Sequence, residues 1–175
     1  MKQTVIISAF ICCGKTYMTE KYNGWKYTML DIETGDFTGT SNISENMTQK
    51  INPDFPQNYI ECIKENIGKY DIIFVSAHSK VRRALKDNNL KFILVTPRRN
   101  MKHVWLDRLR QLETPDTIIQ SIANNWDSYI NMMELEKDKH CIVNWLNKNH
   151  LYIDDVYLDF VFRTYMPEWS VSVNE

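Results

Sequence analysis

The sequence predicts an α/β domain, a parallel sheet of about five strands with helices on both faces. Three observations carry this. Short β-branched apolar runs alternate along the chain with segments of helical periodicity. The first run passes directly through a glycine-containing turn into a helix. The length of 175 residues, with 43% hydrophobic and 25% charged, fits one domain with a full core and no need of disulfide staples.

Thr4–Phe10 (TVIISAF) has the composition of a strand buried on both faces. Lys15–Tyr22 reads as a short helix ended near Asn23-Gly24. Tyr27–Ile32 is a second strand, and the polar stretch from Gly35 to Asn52 reads as a long loop. Phe55, Tyr59, Ile60, Ile63 and Ile67 recur at helical spacing, which predicts a helix from Pro53 to near Lys69. Asp71–Ala77 is a third strand, Ser79–Asn88 a helix and Lys91–Thr96 a fourth strand. A basic segment, Pro97–Leu112, comes next. Pro115-Asp116 then opens an amphipathic helix running to near Lys137. His140–Leu146 fits a fifth strand, Tyr152–Tyr165 a closing helix, and the tail after Pro167 is expected to be loose. No repeat, low-complexity tract or linker divides the chain, so residues 1–175 read as a single domain.

Composition excludes some functions. The net charge of −1 gives no global basic field for nucleic acid, although a local basic cluster leaves such a partner open. No run of about 18 apolar residues could span a membrane, so no membrane role is expected. The N-terminal apolar run ends in Gly14-Lys15-Thr16 rather than in a cleavage site, so the cytoplasm is the expected compartment. Cys12 and Cys13 are adjacent, while Cys62 and Cys141 stand alone as small buried hydrophobes. No ligand spacing for zinc is present.

Ligands of such sheets bind at the carboxyl ends of the strands. The first of these loops, Ala9-Phe10-Ile11-Cys12-Cys13-Gly14-Lys15-Thr16, fits the pattern [AG]xxxxGK[ST]. A strand ends, the chain wraps an anion and a helix begins, so successive N–H groups and the positive helix end converge on phosphate. Cys12, Cys13, Gly14, Lys15, Thr16 and Tyr17 would form this cradle. Lys15 would reach the β- and γ-phosphates of ATP, and Thr16 would offer a hydroxyl to Mg²⁺. Gly14 permits a close backbone approach. Cys12 occupies a position where a φ above zero would strain it. The plain alternative is an ordinary strand–turn–helix with an exposed lysine.

Here the chain resembles the P-loop nucleoside and nucleotide kinases. More closely, it looks like the small bacterial and phage proteins that are nucleoside monophosphate kinase-like or ATP-binding, over roughly Thr4 to Tyr129. The resemblance rests on AFICCGKT, LDIETGDF and PRRNMKHVWLDRLRQL. It implies a three-layer P-loop fold, ATP and Mg²⁺ as cofactors, and a small nucleoside or nucleotide as acceptor. In that family an acid at the end of the second strand acts on the acceptor hydroxyl, and arginines in a lid close on ATP.

The second loop contains Asp31, Glu33 and Asp36. Asp31 or Glu33, sharing one strand face, could deprotonate an acceptor hydroxyl or hold water on Mg²⁺. Turn chemistry with solvated acids is the simpler explanation. Phe37 falls in the expected acceptor region, where a ring could stack on a base. Tyr59 is better read as core. In the third loop, His78 could touch the acceptor and Ser79 could cap a helix. Arg98, Arg99, Lys102, His103, Arg108 and Arg110 lie within 13 residues. The resemblance makes residues from about 97 to 113 a basic, solvent-facing lid, with Arg108 and Arg110 over the migrating phosphoryl group. A solvated basic helix face is the alternative. Residues from about 150 to 170 are expected as a C-terminal helical extension. The tryptophans are expected to pack the core.

These readings converge on an ATP-Mg²⁺ phosphotransferase. Lys15, Asp31, Arg108 and Arg110 would be its catalytic residues, and Glu33, Asp36, Phe37 and His78 its acceptor contacts. Two rivals stand beside it. One is a kinase for another acceptor, such as a modified base in nucleic acid. The other is a non-catalytic or weakly hydrolytic ATP- or GTP-binding switch, although no NKxD-like guanine motif is present.

Overall fold

The structure, a computed structural model, describes residues 3–38 and 52–171. The strands β1 (Thr4–Ala9), β2 (Met29–Asp31), β3 (Ile72–Ser76), β4 (Phe92–Pro97) and β5 (Cys141–Leu146) form a parallel sheet in the order β2-β3-β1-β4-β5. The helices are α1 (Lys15–Tyr22), α2 (Gly35–Thr38), α3 (Gln57–Asn66), α4 (Ser79–Asp87), α5 (Lys102–Gln111), α6 (Asp116–Glu134) and α7 (Asp155–Trp169). A short 3₁₀ turn, Arg99–Met101, leads into α5.

Every residue of β1 and β4 is buried, on odd and even positions alike. That pattern requires cover on both faces of the sheet and explains why these runs read as unbroken apolar stretches. Each fully buried Ile of this centre contributes roughly 1.5–3 kcal/mol relative to exposure. The edge strands β2 and β5 are only partly buried. Of the buried serine and threonine hydroxyls, those of Thr4 and Ser8 are paired, whereas Thr96 Oγ1 has no hydrogen-bond partner among the described residues. Thr4 donates to the Tyr70 carbonyl at 2.7 Å and accepts from the Gly68 N–H at 2.8 Å.

β1 is central, as expected. From β1 the chain leaves toward the β2 edge, whereas from β4 it leaves toward β5. A crevice at the carboxyl ends follows from that reversal. Tyr59 of α3 wedges beneath it, fully buried. Its hydroxyl donates to the Ile32 carbonyl at 2.6 Å and accepts from the Ser76 N–H at 3.1 Å, tying the ends of β2 and β3.

Three expectations need correction. The stretch expected as one long loop from Gly35 begins with the α2 turn, and its residues 39–51 lie outside the described residues. The expected loose tail instead continues α7 to Trp169 and adds β6 (Ser170–Val171), antiparallel to β1. The cause is a short β4 pairing. β4 meets β1 only at Ile7–Ala9, and β6 pairs with Thr4 and Val5. The third concerns the lid. Residues 97–112 are not a solvent-facing flap, because Met101, Trp105, Arg108 and Leu109 are all buried. Trp105, Arg108 and Leu109 fall on one helix face at i, i+3 and i+4.

Candidate functional site

Between β1 and α1 the backbone leaves the strand at Phe10 and turns sharply. Cys12 takes a φ of 62° and Gly14 a φ of 99°. The left-handed value is ordinary for glycine and strained for Cys12. A side chain on Gly14 would also meet the Ile153 carbonyl at 3.2 Å.

The carbonyls of this loop are held from outside. Trp105 Nε1 donates to the Ile11 carbonyl at 2.8 Å. Arg108 donates to the Cys12 carbonyl at 3.4 Å and to that of Leu151 at 2.8 Å. The Ile153 N–H donates to the Cys13 carbonyl at 2.8 Å. Three successive carbonyls are thereby engaged by α5 and the segment before α7. At the start of α1 no side chain caps the helix, and the first N–H groups have no intrahelical acceptor. An uncapped helix start leaves N–H groups that could receive an acceptor such as an anion.

Lys15 lies across the end of β2. Its ammonium donates to Asp31 Oδ2 at 3.5 Å and Glu33 Oε1 at 3.4 Å. Thr16 Oγ1 donates to Asp31 Oδ2 at 3.1 Å. Asp31 and Glu33 reach the same lysine because alternate residues share a face. The Asp31 side chain is only 9% exposed. Its Oδ1 sits 3.4 Å from the lysine ammonium yet accepts no hydrogen bond. Burial pushes the Asp31 carboxyl up, the nearby Lys15 opposes this, and Glu33 adds to it.

A cavity of about 380 Å³ opens beside this cluster. Lys15, Glu33 and Thr34 line its polar side, together with Ser76, His78 and Arg82. Phe10 and, from α6, Ile122, Tyr129 and Met133 form an apolar wall. His78 Nδ1 accepts from the Lys80 N–H at 3.3 Å, so this imidazole, rather than Ser79, caps α4. Burial first, and then the charges of Lys80 and Arg82, holds the His78 pKa below its usual value, which keeps that nitrogen an acceptor.

The remaining expected residues fall elsewhere. Phe37 packs edge-on against Tyr59 at 5.1 Å, and Asp36 sits in the first turn of α2. The Tyr17 ring is exposed on the outside of α1, although its backbone belongs to the helix start. Arg110 is exposed and paired with Asp107 at 2.7 Å. Arg108 is buried behind the loop, its guanidinium carbon 4.2 Å from the centre of the Trp105 ring and 3.8 Å from that of Tyr152. With two rings against it and its first donor on carbonyls, it supports the loop rather than overhanging it. Cys13 is fully buried, and burial pushes its thiol far up.

Comparison with protein-family models, curated proteins and solved structures gives no match. The reading of the site therefore stands on its geometry.

Sequence reasoning missed Arg82, Tyr59 as a strand tie, the α6 wall and the Leu151–Ile153 support. A signal for Arg82 existed: it lies three residues before Leu85 and next to Val81, on the buried side of α4. Trp105 was read as packing only, but it also fixes the loop through its indole N–H.

Proposed function

We propose that the protein is an ATP-Mg²⁺-dependent phosphotransferase of P-loop kinase type, acting on a nucleoside or nucleotide. The observation that carries this is the buried Asp31 carboxylate, with one oxygen accepting no hydrogen bond, beside Thr16 and Lys15 at the mouth of the cavity. That oxygen meets only the Lys15 ammonium, at 3.4 Å and without a hydrogen bond, and a cation arriving with the substrate would give it a closer partner. Hard oxygen donors suit Mg²⁺, which is commonly bound by one or two carboxylates and by substrate phosphates. Among the described residues no cluster of three or more His, Cys, Asp or Glu is placed to hold a metal alone, and this arrangement needs none.

Thr16 and Asp31 are the residues that would hold the ion, which when bound neutralises charge on the β- and γ-phosphates. The N–H groups at the start of α1 receive the phosphates. Lys15 exchanges its contact with Glu33 for one with the transferring group. With Asp31 holding the ion, the released Glu33 accepts the proton of the acceptor hydroxyl. His78 and Arg82 face the acceptor from α4, and the apolar α6 wall excludes water. With Arg108 supporting the loop, Arg110 facing outward and Arg82 paired to Glu136 in the wall, Lys15 is the cation that meets the transferring group.

The test is single-turnover transfer from γ-labelled ATP to a panel of nucleosides and nucleotides. Lys15→Ala should lower the rate by ~10²-fold or more while weakening nucleotide binding only modestly, because a contact of about 3 kcal/mol is lost mainly in the transition state. Thr16→Ala should raise the Mg²⁺ concentration needed. Unchanged turnover in folded Lys15→Ala, or ATP binding with no acceptor-dependent turnover, would give the lead to the switch reading.

A further inference from the structure

A second cavity of about 330 Å³ lies between α1, β2 and α7, away from the cluster around Asp31. Its floor is the buried pair Met18 and Met29. Tyr22, Trp25 and Tyr27 supply aromatic walls, and Lys26 with Asp159 supplies a polar edge. Tyr27 is itself braced, stacked on Phe162 at 4.1 Å.

The aromatic rings continue out of this cavity along the surface. Trp25 is 76% exposed and lies 5.8 Å from Tyr22, with the two planes 32° apart. Tyr22 lies 5.9 Å from Tyr17, which is 53% exposed. Tyr17 is two residues beyond Lys15, so the line of rings leads from the start of α1 to the second cavity. Such large exposed rings in a row are unlike the scattered apolar residues of an ordinary surface.

Cations accompany the rings. The Lys21 ammonium stands 5.8 Å from the centre of the Tyr17 ring, and that of Lys26 stands 5.5 Å from Tyr27. The hydrogen bond to Asp159 holds the Lys26 pKa above its usual value, and the nearby Arg163 charge only opposes this. Asp159 is engaged by Lys26 and by the Tyr27 hydroxyl, which leaves Glu20 as the carboxylate on the same helix. Lys26 and Asp159 offset each other, so Lys21 and Arg163 against Glu20 leave a local balance of +1 on a chain whose net charge is −1.

We propose that this face binds single-stranded nucleic acid, with one nucleobase seated in the second cavity and its neighbours stacked on Trp25 and Tyr17. Aromatic rings interleaved with lysines supply what a single strand needs, stacking for the bases and charge for the phosphates. A duplex keeps its base faces covered and cannot use the rings. A mononucleotide is too short to cover both the cavity and the line of rings. The inference does not depend on the phosphotransferase reading.

The test uses the full chain and a fluorescein-labelled oligothymidylate of about 15 nucleotides, followed by anisotropy at low salt. Binding should weaken with added salt. Trp25→Ala should raise Kd about 10-fold and Tyr17→Ala should raise it severalfold, with thermal unfolding of Trp25→Ala unchanged because the ring is exposed. Lys21→Ala should reduce the salt slope by about one. The proposal is overturned by a Kd above about 100 µM at low salt. It is equally overturned if neither ring substitution changes Kd, or if thymidine monophosphate or the duplex binds as tightly as the strand.

Discussion

Arg82 and Arg108 are both almost wholly buried, and both touch the walls of the candidate site, yet their charges end in different surroundings. Arg82 meets a carboxylate, with Nε 3.0 Å from Glu136 Oε1. Glu136 in turn meets Lys86 at 2.5 Å, and Lys86 meets Asp138 at 2.9 Å. Arg108 has no carboxylate partner among the described residues; it is held by two carbonyls and two aromatic rings, and one of its terminal nitrogens has no partner. One arginine is neutralised inside a network. The other keeps its charge close behind a loop read here as anion-binding. Burial alone does not tell which task an arginine performs; the identity of its acceptors does.

The largest expected effect tests the neutralised arginine. Glu136→Leu strands Arg82 in the interior, and removing one partner of a buried pair costs about 3 kcal/mol. For a chain of this size, thermal unfolding should fall by roughly 6–12 °C. A loss under about 1 kcal/mol in urea titration would mean that Arg82 finds other compensation.

Arg108→Ala should cost somewhat less, about 2 kcal/mol, through unmet carbonyls and lost contact with the two rings. It should also differ in kind. Hydrogen exchange at residues 11–16 should quicken in Arg108→Ala and stay unchanged in Glu136→Leu. Equal exchange in both variants would erase the distinction between them.

Acid separates the two sites next. Hydrogen bonds from Lys86 and Arg82, outweighing burial, hold Glu136 below its usual value, and Asp138 is lowered by Lys86 and by backbone N–H groups. The unfolded chain then binds more protons, so this stabilisation is complete above the unfolded carboxylate range near pH 4.5 and lost as pH falls through the lower folded values. Glu136→Gln should flatten the loss of stability between about pH 5 and 3, while Arg108→Ala keeps the parent slope.

The smallest effect concerns a third buried charge. Asp31 is pushed up chiefly by burial, so its protonated form favours the fold. That stabilisation is present below the unfolded value near 3.9 and lost as pH rises through the raised folded value. Asp31→Asn imitates the protonated state. It should leave stability at pH 7 equal or higher by up to about 1 kcal/mol, while the proposed phosphotransfer falls. A marked loss of stability would show that the ion pair with Lys15 outweighs desolvation.

The sheet and the cluster of Lys15, Thr16, Asp31 and Glu33 were legible in the sequence because each is local. The strands β1, β3 and β4 are apolar runs, and Lys15, Thr16, Asp31 and Glu33 follow two strand ends. What escaped was set by distant partners. Six basic residues between 98 and 110 suggested a solvent-facing lid, but Arg108 is buried because the Tyr152 ring, from another part of the chain, packs on its guanidinium together with Trp105. Arg82 carried no motif, and its burial depends on Glu136. β6 is two residues long, too short for any periodicity to reveal.

That short strand has a bearing on how the molecule is made. On one side, β1 acquires β3 once residue 76 has been synthesised, and on the other β4 covers only its second half. The first half waits for Ser170 and Val171. A nascent chain emerging from the ribosome therefore carries its central strand incompletely paired until almost all of the described chain has appeared. Throughout that interval its apolar edge is open to other chains, so this protein's exposure to aggregation is concentrated in synthesis rather than in the finished fold.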